Sequence, residues 1–187
     1  MNQEQNRRRF LGTAAATAAF TIVPRHVLGG PGTVAPSDKI TLAYIGTGTQ
    51  GLREMINLLP IPDIQIVAVC DPNKEAAGYR DWSANGILNS IRTAIGKSDW
   101  RAGVEGVVPG GRDVAQDVVN SFYANKRGSD KFKGCAAYAD YRELFEREKD
   151  LSAVKIMTPD HLHGVISIAA MKRGKHCLLY TSDAADE

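Results

Sequence analysis

Glycines at 46, 48 and 51 stand at G-x-G-x-x-G spacing, and a lone carboxylate, Asp71, follows twenty residues after the last of them. Glycines so placed let a backbone turn sharply and bring bare N–H groups close to a polyanion. Gly46 suits the turn, Gly48 a close approach by a pyrophosphate, and Gly51 the tight packing of a following helix. Thr47, Thr49 and Gln50 complete the loop. A helix opening near Gln50 turns its free N–H groups and positive end toward the phosphates. Asp71 is then placed to accept hydrogen bonds from an adenosine ribose, and its charge repels a 2′-phosphate, which favours NAD over NADP. Lys74 lies close enough to soften that preference and keep NADP in play. A glycine-rich turn with no ligand shares the spacing; the apolar run before it, the helix after it and the acid beyond it favour the dinucleotide.

A second polar group is Thr158-Pro159-Asp160-His161-Leu162-His163, between an apolar run and a helical pattern. In an open α/β sheet, ligands lie at that edge. Pro159 fixes the turn, and the Thr158 hydroxyl with the helix-start N–H groups can hold the cofactor near its nicotinamide half. His161 or His163 can reach the ribose or the substrate. The H-x-H pair also offers two imidazoles to a metal, but with no third ligand nearby none is expected. The bland alternative is that both histidines cap or pack the helix start. Pro109-Gly110-Gly111-Arg112 has the composition of a second phosphate loop; with no strand feeding it, a plain surface turn is expected. Cys70 reads as a small buried hydrophobe and Cys135 opens an apolar run; neither has metal-ligand spacing or argues for a disulfide.

The elements that must position these groups alternate. Strands are expected at Ile40–Ile45, Ile64–Cys70, Cys135–Tyr138 and Ala153–Met157, with helices over 50–59, 113–126, 141–148 and 162–172. Pro60 and Pro62 separate the first helix from its strand. Val114, Val118, Val119 and Phe122 share one helix face, Asp140 with Glu143 forms a capping box, and Gly174 closes the last helix. Between Tyr79 and Arg112 the pattern loosens into an irregular excursion with one helix near Leu88–Ile95. Alternating strands and helices imply an α/β fold, a doubly wound parallel sheet with right-handed crossovers.

The 187 residues suffice for one ordinary domain with a tail, and the composition is that of a soluble globular protein. The net charge of +2 resides in the N-terminus, where Arg7, Arg8, Arg9 and Arg25 face only Glu4; the rest has 19 basic against 20 acidic residues. No basic patch argues for nucleic acid. Arg7-Arg8-Arg9-Phe10-Leu11 fits the twin-arginine export pattern R-R-x-F-L, and the apolar run to Val23 is too short and weakly apolar for a membrane span. The organisation expected is a leader at 1–28, a Gly/Pro-rich linker at 29–38 and a nucleotide-binding domain at 39–176. Localisation is then periplasmic, or membrane-anchored and facing outward.

The segments A-Y-I-G-T-G-T-Q-G, V-A-V-C-D-P-N, A-Y-A-D-Y-R-E-L-F, A-V-K-I-M-T-P-D-H-L-H and A-A-M-K-R-G-K-H resemble, in order, the Gfo/Idh/MocA family of oxidoreductases. The resemblance implies a Rossmann domain that binds NAD or NADP. It implies a second, open-faced α/β domain that supplies substrate contacts and often the oligomer interface, and hydride transfer to or from a sugar or cyclitol. A lysine in an E-K-P-like motif after G-K-H usually moves the hydroxyl proton. Here Tyr180, Thr181 and Ser182 stand in that place, and Cys177–Glu187 resembles a translated sequencing adapter. The expectation is a truncated chain with residues 177–187 as a non-native tail, no catalytic residue and no substrate domain. The intact parent is expected to take a sugar or polyol, to bind no metal and to form a homo-oligomer. Relatives of the fold also include NAD-dependent glycosidases, and a non-catalytic nucleotide-binding protein is the third reading.

Overall fold

The run Ile40–Ile45 forms β1, the central strand, in which Leu42, Ala43, Tyr44 and Ile45 are all buried. A strand covered on both faces needs apolar residues on both, which is why this segment reads as a run rather than an alternation. The computed structural model describes residues 38–179 except Trp82, Ala84, Glu105 and 128–133. The expected leader, the linker through residue 37 and the tail beyond Leu179 lie outside the described residues.

After β1 come α1 (Thr49–Leu58), β2 (Ile64–Cys70), β3 (Ala76–Arg80), α2 (Gly86–Ile95), β4 (Val107–Gly110) and α3 (Arg112–Arg127). They are followed by β5 (Ala136–Tyr138), α4 (Tyr141–Arg147), β6 (Ala153–Ile156), α5 (Asp160–Met171) and β7 (His176–Leu179). Five strands form one sheet in the order β5-β2-β1-β6-β7, and every pairing in it is parallel. The chain winds outward from β1 to β2 and β5, then returns to β6 and β7 on the other side. This is the doubly wound sheet the alternation predicts.

Each face has its own core. Leu52 and Met55 of α1, Ile87, Leu88, Ile91 and Ile95 of α2, and Val114, Val118, Val119 and Phe122 of α3 pack on Leu42, Tyr44, Ile66 and Val69. Leu144 and Phe145 of α4 with Ile166 and Ala170 of α5 cover Ala43, Ile45, Ala68, Cys70, Val154 and Ile156. Each such side chain contributes about 1.5–3 kcal/mol on leaving water. The β1–β2 register slips between Leu42–Ile66 and Ala43–Ala68. The slip puts both Val67 and Ala68 toward the α4–α5 face and returns Val69 to the α1 face. The parity of Val69 carries on to residue 71, on the side where the glycine loop opens α1.

One expectation is corrected. Part of the excursion is ordered as an antiparallel pair, β3 with β4, flanking α2. Its strands are short, β3 largely exposed and β4 largely buried, so neither shows an alternation to read. β7 spans the expected boundary at His176. Cys177 and Leu179 turn toward the α4–α5 core while Leu178 stays exposed, so β7 pairs fully with β6. No helix among the described residues is long and apolar enough to cross a membrane.

Candidate functional site

The three glycines meet three different demands. Gly46 leaves β1 at a φ of +93°, and a Cβ there would lie 2.6 Å from the Met157 carbonyl. Its N–H donates to Cys70 O at 2.8 Å, and the Met157 N–H donates to Ile45 O at 2.7 Å. The turn is therefore clamped between the ends of β2 and β6, and only glycine fits. Gly51 lies in the first turn of α1, where a Cβ would drive into the Gly46 carbonyl oxygen. Gly48 differs: its φ is −73°, and a Cβ would meet only the Tyr79 ring, at 3.5 Å. Protein packing does not require glycine at 48, but close approach of a ligand from the cleft does.

Gly48 is the N-cap of α1; no side chain caps this end and no acid occupies its first turn. The helix start thus has no side-chain cap of its own, which leaves its first-turn N–H groups to an anion. Thr47 faces inward and is fully buried. Its N–H and hydroxyl both donate to Asp71 Oδ2, at 2.8 and 3.1 Å. Asp71 Oδ1 accepts the Asn73 N–H at 2.9 Å. The carboxylate fastens the glycine loop to the end of β2 and still lines the cleft. Oδ1 keeps a second lone pair for a ribose hydroxyl, whereas Oδ2 already accepts two hydrogen bonds.

A single cleft of about 650 Å³ brings most of the expected residues together: Gly46, Gly48, Thr49, Gln50, Gly51 and Asp71 on one side, Thr158 and Pro159 on the other. It opens at the carboxyl ends of β1 and β6, where the strand order reverses, and its size is ordinary for a small-molecule site. Thr158 Oγ1 is buried without a hydrogen-bond partner among the described residues. An orphaned hydroxyl at a cleft wall has an unmet need that a ligand can fill.

The histidines are not cleft residues. His163 is buried, its Nε2 lies 2.7 Å from Thr158 O, and its Nδ1 is 3.8 Å from Asp160. It braces the 158–160 turn from behind, because position 163 falls on the inward face of α5. His161 is exposed and outside the cleft lining, while Leu162 reaches the cleft instead. Among the described residues no group of three or more His, Cys, Asp or Glu could hold a metal.

Pro109–Arg112 is neither of the two things expected of it. β4 does feed it, and Gly110 and Gly111 are buried. The N–H groups of Gly111, Arg112 and Asp113 donate to the carbonyls of Thr47, Asn73 and Lys74, each at 3.0 Å. With those donors used, this loop supports the glycine loop and offers phosphate nothing. The Arg112 guanidinium donates to the carbonyls of Asp71 and Pro72 at 3.1 and 2.8 Å and fixes the same corner. Lys74 stands 3.9 Å from Asp113.

Cleft residues missed in the sequence are Asn73, Tyr79, Met157 and the 139–142 turn. That last turn follows β5, so the rule of strand carboxyl ends identifies it. There Asp140 caps α4 by accepting the Arg142 N–H at 2.8 Å, and the Arg142 guanidinium lies over the Tyr141 ring at 4.5 Å. Tyr79 sits in the excursion and carries no periodic signal. Burial, reinforced by the charge of Asp71, pushes the Cys70 thiol up to about 12, so it stands in the cleft as a thiol at neutral pH.

No family model and no curated protein matches the chain. Among solved structures, it is similar to myo-inositol 2-dehydrogenase from Lactobacillus plantarum, at 16% identity and a TM-score of 0.43, over 75% of this chain and 27% of that one. It is similar to scyllo-inositol dehydrogenase from Lactobacillus casei, solved with bound NAD(H) and scyllo-inositol, at 15% identity and a TM-score of 0.41 over 75% and 27%. A third, an NAD binding oxidoreductase from Klebsiella pneumoniae, gives 19% identity and a TM-score of 0.36 over 75% and 27%. The chain thus spans about a quarter of the length of the structures it is similar to.

Proposed function

We propose that this chain is the cofactor-binding part of an exported NAD(P)-dependent oxidoreductase of the Gfo/Idh/MocA type, acting on a sugar or cyclitol. The observation that carries the reading is Gly48. It is a glycine that the protein's own packing does not demand, at an uncapped helix start, in one cleft with Asp71 and the orphaned Thr158 hydroxyl. A nicotinamide dinucleotide fits that set of donors, and when bound it supplies hydride transfer. The N–H groups of Gly48–Gly51 bind the pyrophosphate, Asp71 orients the adenosine ribose and disfavours a 2′-phosphate, and Thr158 with Pro159 holds the nicotinamide side. The order of the sugar-dehydrogenase-like motifs along β1, β2, α4, β6 and α5 supports the substrate class. The Arg7-Arg8 pair supports export by the twin-arginine route. Nucleotide binding without turnover is the role we assign to this chain.

The test is calorimetric titration of the full chain with NAD⁺ and NADP⁺. Saturable NAD⁺ binding, tighter than NADP⁺ and weakened by Asp71→Ala, is the result expected. A folded sample that binds neither nucleotide overturns the assignment. For export, residues 1–28 fused to a reporter that folds in the cytoplasm should carry it across the membrane. Export that survives Arg7→Lys with Arg8→Lys contradicts that part.

A further inference from the structure

The insertion between β2 and α3 is a built wall. Asp81, itself buried, accepts the Ser83 N–H and hydroxyl and, at 3.1 Å, the Ile87 N–H, so it organises the start of α2. α2 then buries four apolar side chains in the core it shares with α1 and α3. Arg92 donates to the carbonyls of Trp100 and Arg101 at 2.9 and 3.2 Å, and Trp100 Nε1 donates to Asp117 of α3 at 2.8 Å. Arg101 pairs with Glu75 just before β3. The wall is tied to α3 at one end and to the exit of β2 at the other.

From β3 onward, Tyr79 is the one described residue of this wall that lines the cleft. A Cβ at Gly110 would overlap the Tyr79 ring, so glycine at 110 lets the ring lie where it does. On its other side the ring edge passes 3.5 Å, and the hydroxyl 3.9 Å, from the place of a Gly48 Cβ. Asn73 Nδ2 donates to Tyr79 Oη at 3.4 Å. A phenol that accepts there keeps its own hydrogen to donate. The acceptor that belongs beside Gly48, at the positive end of α1, is a phosphate oxygen.

We propose that Tyr79 is a cofactor-binding residue whose hydroxyl donates to the pyrophosphate held over Gly48, and that the insertion exists to hold it there. This rests on the dinucleotide reading above. The test compares the full chain with Tyr79→Phe, which removes one hydroxyl and leaves the ring, by titration with NAD⁺, ADP and adenosine. The variant should melt as the wild type, bind NAD⁺ and ADP about tenfold more weakly, and bind adenosine within about twofold of the wild type. In the wild type, the Tyr79 ring resonances should move on adding ADP and stay on adding adenosine, a readout independent of any variant's folding. Wild-type ADP affinity in Tyr79→Phe, or an equal loss for adenosine, overturns the proposal while leaving the dinucleotide reading intact. A wild type that binds neither NAD⁺ nor ADP overturns both.

Discussion

Alanine at Gly48 and alanine at Gly51 should fail in opposite ways. At Gly51 the new methyl meets the Gly46 carbonyl oxygen, which cannot retreat because the Thr47 N–H of the same peptide is held by Asp71 and Gly46 itself abuts Met157. Overpacking against backbone costs about 3 kcal/mol, and the helix preference of alanine over glycine returns about 1. The net of about 2 kcal/mol lowers the Tm by roughly 4–8 °C for a domain of this size. At Gly48 the backbone is already in a region any residue adopts, and the nearest atoms stand at 3.5 and 3.6 Å. An alanine N-cap costs about 0.5–1 kcal/mol, and the stiffer unfolded chain offsets a similar amount. The Tm should therefore stay within about 2 °C of the wild type. The methyl instead occupies the space a pyrophosphate needs, removing charge-assisted bonds worth about 1.5–3 kcal/mol, roughly 10- to 100-fold in affinity. Thermal melts with NAD⁺ titrations of the two variants give the comparison. Equal destabilisation at both positions, or wild-type NAD⁺ affinity in Gly48→Ala, refutes the division of roles.

Asp71→Asn should lower stability by about 1–3 kcal/mol even without nucleotide, because an amide nitrogen must face the N–H of Thr47 or Asn73; urea unfolding measures it. His161→Ala should leave NAD⁺ affinity and Tm unchanged, whereas His163→Ala should lower the Tm by releasing the 158–160 turn. Burial raises the thiols of Cys70, to about 12, and Cys135 above the ordinary value of 9.0. Raised in the folded state, these groups stabilise fully below about pH 9, and that stabilisation is lost as the pH climbs toward the folded values, by about 1.4 kcal/mol per pH unit for each thiol. The Tm should fall on that alkaline side, and Cys70→Ala with Cys135→Ala should flatten the fall. Iodoacetamide at pH 8 should reach Cys177, the half-buried thiol, well before the other two.

What the sequence made legible was whatever one local rule decides. β1 and β2 appear at their expected bounds because the stretches that end them, Leu42–Ile45 and Ile66–Cys70, are apolar on both faces. The glycine loop was legible because Gly46 answers to an angle and Gly51 to a distance that no other residue meets, with Gly48 and Asp71 at the matching spacing. Legibility failed where the deciding contact is remote. Nothing near 110 in the chain announces that its loop will lend three N–H groups to residues 47, 73 and 74. His163 and His161 differ only in which side of α5 they face, and two residues of helix separate a buried brace from an exposed ring. Tyr79 belongs to strands too short to show alternation, so its place beside Gly48 emerges only from the fold.

The proposed function requires one cleft, built from the ends of β1, β2 and β6, to hold a nicotinamide dinucleotide. The most direct measurement is a ¹⁵N-labelled amide spectrum of the full chain during NAD⁺ addition. The amides of Gly48–Gly51, Asp71–Asn73 and Thr158 should shift together along one binding curve, with those of Lys97 and Asn125, on the far side of α2 and α3, unmoved. No shifts up to millimolar NAD⁺, or shifts confined to residues outside the cleft, would contradict the account.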